Sequence, residues 1–181
     1  LEDYRERNII SIDPATSRDF DDAFDIEVLG NNRYRIGIYI SNVSFWMDAL
    51  DLWDSFSSRI STIYLPDRKR PMLPTVLSDA LCSLTEHDLR FDLCLNLIVA
   101  DGEIESSVFK NCIIKVLKNY RYDTKDQEEC VDYKIMKDLI YRMNRKKRYV
   151  DSIDSSHDVI AYLMITYNYI SAIKLNEMNA G

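Results

Sequence analysis

Glycine is scarce in this sequence: Gly30, Gly37, Gly102 and Gly181 are the only four in 181 residues, and they stand far apart. No GxGxxG, P-loop or GxSxG elbow can be built from them, so dinucleotide-binding folds, P-loop enzymes and serine hydrolases drop out. Histidine is scarcer still. His87 and His157 lack a second ligand at zinc spacing, and each reads as a surface or capping residue. The four cysteines, Cys82, Cys94, Cys112 and Cys130, form no CxxC pair, which disfavours a zinc site and a disulfide framework. A reduced intracellular setting, cytoplasmic with nuclear as the alternative, fits that usage. No clean apolar run is long enough for a membrane span of roughly 18 to 20 residues. The longest tract, from Val159 to Ile173, is interrupted by Thr166, Tyr167 and Asn168 and reads as a helix buried on most sides. No basic start followed by an apolar stretch and a small-residue cleavage site is present, so no secretory leader is expected. Basic residues are also in deficit, 23 against 30 acidic ones, for a net charge of −7. That balance opposes a general attraction to nucleic acid, which Lys and Arg drive. Three basic clusters remain, at Arg68 to Arg70, at Lys115, Lys118 and Arg121, and at Arg145 to Arg148. They leave room for a local positive track, although each alone reads equally as solvated surface charge.

What is present is an ordinary globular composition, 46% hydrophobic and 29% charged, at a length that suits one domain. Segment 8–12 reads as a strand entering a loop. Tyr34, Ile36, Ile38 and Ile40 alternate with Arg33, Arg35, Gly37 and Tyr39 behind a Gly30-Asn31-Asn32 turn, which predicts a hairpin with 23–29. Phe91, Leu93, Leu95, Leu97 and Val99 alternate likewise before Asp101 and Gly102, predicting a second hairpin into 104–117. The period then changes: Met136, Leu139, Ile140 and Met143 fall on one helix face, predicting an amphipathic helix over 132–148. Its basic end suits the negative end of the helix dipole. Ser155 followed by Asp158 reads as a capping box opening a last helix. The expected fold is a mixed α/β (α+β) domain, a largely antiparallel, hairpin-rich sheet with helices packed on it.

The chemistry concentrates in IDPATSRDFDDAF, where Asp13, Asp19, Asp21 and Asp22 lie within ten residues just after a predicted strand. Carboxylates this close repel one another and raise their own pKa values, whereas divalent cations would turn the repulsion into binding. Hard oxygen ligands select Mg²⁺, with Mn²⁺ as the alternative. A solvated acidic loop or a nest of helix caps is the other reading of the same residues. An EF-hand is excluded, because a loop begun at Asp19 has Ala23 and Phe24 where an acidic ligand and the turn glycine are needed.

These residues resemble the ribonuclease II and R family, which shares the RNB catalytic domain and includes the catalytic exosome subunit of eukaryotes. IDPATSRDFDDAF is similar to that family's metal motif and SRISTIYLPDRKRPMLPTVLSDALCSL to its second signature, with IYISNVSFWM between them and SHDVIAYLMITYN near the end. The resemblance implies a 3′-to-5′ exoribonuclease that hydrolyses single-stranded RNA to nucleoside 5′-monophosphates by metal-ion catalysis. It implies that Asp13, Asp19, Asp21 and Asp22 hold magnesium and orient the attacking water. It gives Tyr64 as an aromatic that stacks on a base near the 3′ end, and Tyr122, with Tyr120 as the alternative, as a second RNA contact. An exosome-like RNA decay complex is the implied partner, and no membrane is.

Departures bear on activity. Ala161 and Tyr162 stand where the family usually has two adjacent glutamates, one of which contacts RNA. Tyr39 and Asn42 stand where histidine and aspartate are common, in roles that read as architectural. The family's domain continues past the equivalent of Gly181 and supplies an arginine to the scissile phosphate, so residues 1–181 are read as one domain that forms the N-terminal portion of a truncated RNB domain. Alternatives to the nuclease are a catalytically inactive RNB-like module that binds RNA or scaffolds a decay complex, and a metal phosphoesterase acting on DNA or small nucleotides.

Overall fold

The computed structural model describes residues 1–17, 19–56 and 61–180. Strands β1 (Glu2–Asp3), β2 (Ile10–Asp13), β3 (Asp22–Gly30) and β4 (Arg33–Ser41) precede two short helices, α1 (Val43–Ala49) and α2 (Trp53–Phe56). A small ribbon, β5 (Ile63–Tyr64) with β6 (Lys69–Arg70), then leads to a π-helix over Val76–Cys82. Strands β7 (Leu89–Ala100), β8 (Glu103–Lys115) and β9 (Lys118–Arg121) follow, and α3 (Lys125–Glu129), α4 (Val131–Lys146) and α5 (Ser156–Glu177) close the described chain. Seven strands form one sheet in the order β1-β8-β7-β4-β3-β2-β9.

Both predicted hairpins form, and their turns show why. Asn31 and Asn32 have φ of 50° and 56°, and Asp101 and Gly102 have 50° and 78°, the left-handed pair that a two-residue turn between twisted strands requires. Asn, Asp and Gly are the residues that reach this region cheaply. The sheet is antiparallel through its centre but parallel at two pairings, β1 with β8 and β2 with β9. Those two pairings join segments distant in sequence, and no hairpin signal announces them.

One face of the sheet carries α4 and α5. Ile10, Ile12, Phe24, Ile26, Ile36, Ile38, Leu95, Leu97 and Val99 meet Met136, Leu139, Ile140 and Met143 of α4 and Val159, Leu163 and Tyr167 of α5. Burying a side chain of this size contributes about 1.5–3 kcal/mol, so this layer supplies most of the driving force. The opposite face holds a smaller cluster of Ile9, Phe20, Ala23, Tyr39, Leu84, Cys94, Cys112 and Ile114. Beside it Asp25 accepts from Arg35 at 2.5 and 3.0 Å and from the Tyr39 hydroxyl at 2.9 Å, while Arg7 donates to Tyr39 and to Asn96. A Cβ at Gly37 would overlap Asp25, so this glycine serves close approach rather than a turn.

Ser155 caps α5 as expected: its hydroxyl accepts from the Asp158 amide, and the Asp158 carboxylate accepts from the Ser155 amide at 2.8 Å. The expectation that α5 is buried on most sides is corrected. Val159, Ile160, Tyr162, Leu163, Thr166 and Tyr167 are buried, whereas Ile165, Tyr169, Ile173 and Leu175 are exposed. Apolar residues surround this helix, and the sheet and α4 cover only the side turned toward them.

Candidate active site

The aspartate segment is the connection between β2 and β3, and three anchors hold it. Asp13 ends β2 in parallel register with Arg121 of β9. Arg121 reaches across to donate to the carbonyls of Pro14 at 3.0 Å and Ser17 at 3.5 Å, and its guanidinium lies 5.4 Å from the Phe20 ring centroid. Phe20 is buried, its amide bonded to Ser83 Oγ and its carbonyl to the Leu84 amide. The Asp21 carbonyl accepts from the Ser41 amide, which starts the β3–β4 pairing.

Asp13 is buried, and its carboxylate accepts from Ser11 Oγ at 2.8 Å, which in turn accepts from Asn119 Nδ2. Burial pushes the Asp13 pKa up to about 6, against the pull of the Ser11 hydrogen bond and the Arg121 charge and with the push of Asp21. Asp22 is raised further, to about 7, first by burial and then by the charges of Asp13 and Asp21. Asp13, Asp21 and Asp22 thus share one electrostatic neighbourhood. Tyr122 belongs to it: its amide donates to the Asp13 carbonyl at 3.0 Å, and burial with the nearby charges of Asp22 and Asp13 raises its pKa. Its ring meets His157 edge-on at 5.7 Å. Tyr120 packs against the same helical core as Tyr122, but beside Cys130 rather than beside Asp13 and Asp22.

Asp19 and Asp21 line a cleft of about 620 Å³ together with Thr16, Ser17, Tyr64, Pro71, Thr75 and Asp79. Tyr64 is 77% exposed, a ring with little packing to justify it as core. Sequence reasoning missed Asp79 and Thr75. They enter through the π-helix and the turn before it, where no element was expected; the available signal was the acid within LSDALCSL. Asp13 and Asp22 do not line the cleft and connect to it electrostatically through Asp21. Among the described residues, no three His, Cys, Asp or Glu side chains converge as a preformed metal cage. Arg18 of the first motif, Ser58, Arg59 and Ile60 of the second, and Gly181 lie outside the described residues, as do the side chains of Lys69 and Arg70.

A model of the RNB domain matches residues 1–130. The chain belongs to the RNB domain family. Ribonuclease R of Ureaplasma parvum is 37% identical to it over 124 residues, which make up 67% of this chain and 17% of that protein. This RNB chain superimposes on RNase R of Mycoplasma genitalium, solved in complex with ribose-methylated single-stranded RNA, with a TM-score of 0.81 at 21% identity, covering 98% of this chain and 34% of that one. Yeast Ssd1, a pseudonuclease, shares the fold more distantly, with a TM-score of 0.65 at 14% identity over 84% of this chain and 20% of that one. The RNB chain therefore spans a minor part of the length of these relatives.

The departures can now be placed. Tyr39 is fully buried in the Asp25 cluster, and Asn42 caps α1 by accepting from the Phe45 amide and donating to Asn111, so both are architectural as expected. Tyr162 is core: it is buried against Tyr149, with its hydroxyl donating to the Lys147 carbonyl. In the second basic cluster Lys118 pairs with Asp126 and Arg121 binds the aspartate loop, whereas Lys115 lines a separate groove with Arg5 and Arg7. At the end of α4, Lys146 pairs with Glu103, Arg148 with Asp151, and Lys147 lies over Tyr169 at 3.8 Å.

Proposed function

We propose that this RNB chain carries the metal-binding part of a 3′-to-5′ exoribonuclease that hydrolyses single-stranded RNA to nucleoside 5′-monophosphates. The carrying observation is the mutual charge coupling of Asp13, Asp21 and Asp22 at the edge of a cleft that Asp19, Asp21 and the exposed Tyr64 line. Protons held by two acids near neutral pH mark a site that a divalent cation would fill more favourably. The donor set is all hard oxygen and fits Mg²⁺ or Mn²⁺, with Asp13, Asp19, Asp21 and Asp22 as ligands. Metal bound there would activate a water and stabilise the leaving 3′ oxygen of an in-line displacement.

The chain's own residues do the rest. Ser11 and Arg121 orient Asp13 and fix the loop that presents Asp19 and Asp21. Tyr64 offers a face on which a base stacks without sequence preference, worth about 1–3 kcal/mol per base. Tyr122, near Asp13 and Asp22, would contact the strand close to the reacting phosphate. Membership of an exosome-like decay assembly and a cytoplasmic or nuclear location belong to the same proposal, and co-purification from the source cell tests the assembly.

The test is a 5′-labelled single-stranded RNA incubated with the parent polypeptide and Mg²⁺. A ladder shortening from the 3′ end, lost in Asp21→Asn, is expected; no shortening, or an unchanged rate in the variant, refutes the proposal. A second reading, an RNB-like module that binds RNA without cleaving it, is favoured by one observation: the buried Tyr162 occupies a position where the family usually has glutamate. Tight RNA binding without turnover would select it. Hydrolysis of DNA as fast as RNA of the same sequence would point instead to a phosphoesterase of broader substrate.

A further inference from the structure

Asn119 of β9 stands opposite Ser11 in the parallel pairing with β2, and its half-buried side-chain amide is held on three sides. Nδ2 donates to Ser11 Oγ at 2.8 Å and to the Leu84 carbonyl at 2.9 Å, while Oδ1 accepts from the Glu86 amide at 2.8 Å. The Asn119 backbone amide donates in return to the Glu86 carboxylate at 3.1 Å. Only one orientation of the side-chain amide satisfies these partners. Turned over, it would set its oxygen against the Leu84 carbonyl and its NH₂ against the Glu86 amide, acceptor on acceptor and donor on donor.

That orientation fixes the direction of a second hydrogen bond. Ser11 is fully buried, so no water competes for its hydroxyl. Nδ2 of Asn119 can only donate, so Ser11 Oγ accepts from it, and the single Ser11 proton is left for Asp13 Oδ2, 2.8 Å away. A donor to a carboxylate makes one of the stronger hydrogen bonds, roughly twice as strong as a neutral pair. Oδ2 is thereby engaged, and among the described residues no hydrogen bond reaches Oδ1, the oxygen left to a cation.

The same amide joins Asp13 to the rest of the aspartate segment. Leu84, whose carbonyl Asn119 holds, donates its own amide to the Phe20 carbonyl at 2.8 Å, and the Phe20 amide donates to Ser83 Oγ at 3.1 Å. Phe20 lies between Asp19 and Asp21. We propose that Asn119 is a positioning residue for the cation site, fixing the Ser11 hydroxyl as a donor to Asp13 and registering that carboxylate against the loop that carries Asp19 and Asp21. Its role toward a cation rests on Asp13 being a metal ligand; the seating of Asp13 does not.

Calorimetry of Mg²⁺ binding to the parent polypeptide tests the first part as a double-mutant cycle. Asn119→Ala and Ser11→Ala are each expected to weaken Mg²⁺ binding by about 10- to 100-fold, the usual effect of losing a partner of a metal ligand. Because Asn119 acts through Ser11, the double variant is expected to bind no more weakly than the weaker single one. Losses that multiply, as they would if Asn119 merely held β9 in place, overturn the proposal, and so does an unchanged affinity in Asn119→Ala. Asn119→Ser, which cannot reach Ser11 and Leu84 together, serves if the alanine variant does not fold. Crystal structures of the same variants, grown in chelator, need neither metal nor RNA: a displaced Asp13 carboxyl is expected in both single variants, and one unmoved in Asn119→Ala overturns the seating. Absence of Mg²⁺ binding in the wild type would sink the nuclease reading and the role toward a cation together. The metal-free crystals judge the seating alone, so the two failures are distinguishable.

Discussion

Replacing Asp22 by asparagine should stabilise the metal-free chain and remove its stabilisation by magnesium. In the fold Asp22 holds its proton to about pH 7, against an ordinary value of 3.8, because it is desolvated and sits near Asp13 and Asp21. The folded chain therefore binds this proton more tightly than the unfolded chain does. Stability is greatest below about pH 4 on this account, falls as pH rises through the window from 4 to 7, and levels off above it. About three units of difference correspond to roughly 4 kcal/mol at most, and partial solvent screening of a half-buried group brings the expectation to about 2–4 kcal/mol. Asparagine cannot ionise and escapes that cost. Excess Mg²⁺ at about a hundred times its dissociation constant would return about 2.7 kcal/mol to the wild type, and little to the variant. Urea melts at pH 5 and pH 8, in chelator and in Mg²⁺, measure all four quantities. The variant should be the more stable chain in chelator at pH 8, with the gap closing or reversing in Mg²⁺. A variant no more stable than wild type in chelator, or an equal gain from Mg²⁺ in both, would refute the reasoning.

Other outcomes follow from particular contacts. Tyr64→Ala should weaken single-stranded RNA binding by about 1–3 kcal/mol in an equilibrium titration while leaving the melting midpoint nearly unchanged, since the ring is 77% exposed. Asp25→Ala leaves the largely buried Arg35 with the exposed Glu27 as its remaining ion-pair partner and should cost up to about 3–5 kcal/mol in a denaturant melt; a loss under 1 kcal/mol would show the Asp25 pair to be dispensable. Gly37→Ala forces Asp25 or Tyr39 aside and should destabilise by about 1–3 kcal/mol, although its backbone φ is ordinary. Arg121→Ala frees the Pro14 and Ser17 carbonyls and should weaken Mg²⁺ binding, read by calorimetry, more than it lowers stability.

The local plan was legible because it is written in local periods. Alternating apolar residues with Asn-Asn and Asp-Gly at the turns specify the two hairpins, and the i, i+3, i+4, i+7 spacing specifies α4, whose four marker residues are all buried. The capping box placed the start of α5 correctly, because a cap is satisfied within four residues. The like-charge cost of the aspartate motif was legible in the same way, because acids at close spacing repel wherever they fold. The π-helix and α1 escaped notice because their short segments show no sustained period.

Other features exist only in three dimensions. The parallel pairing of β2 with β9 brings Tyr122 and Arg121 to Asp13 from more than a hundred residues away, and no spacing rule in the chain encodes it. The pairing sets the Tyr122 amide on the Asp13 carbonyl and makes Arg121 the anchor of the aspartate loop, while burial raises Asp13 and Asp22 above the ordinary carboxylate range. Tertiary packing likewise put Tyr162 in the core. Sequence alone determined which residues carry charge, turn and apolar period. Only the folded chain decided which were stripped of water and set beside one another, because desolvation and long-range pairing belong to the whole sheet rather than to any segment.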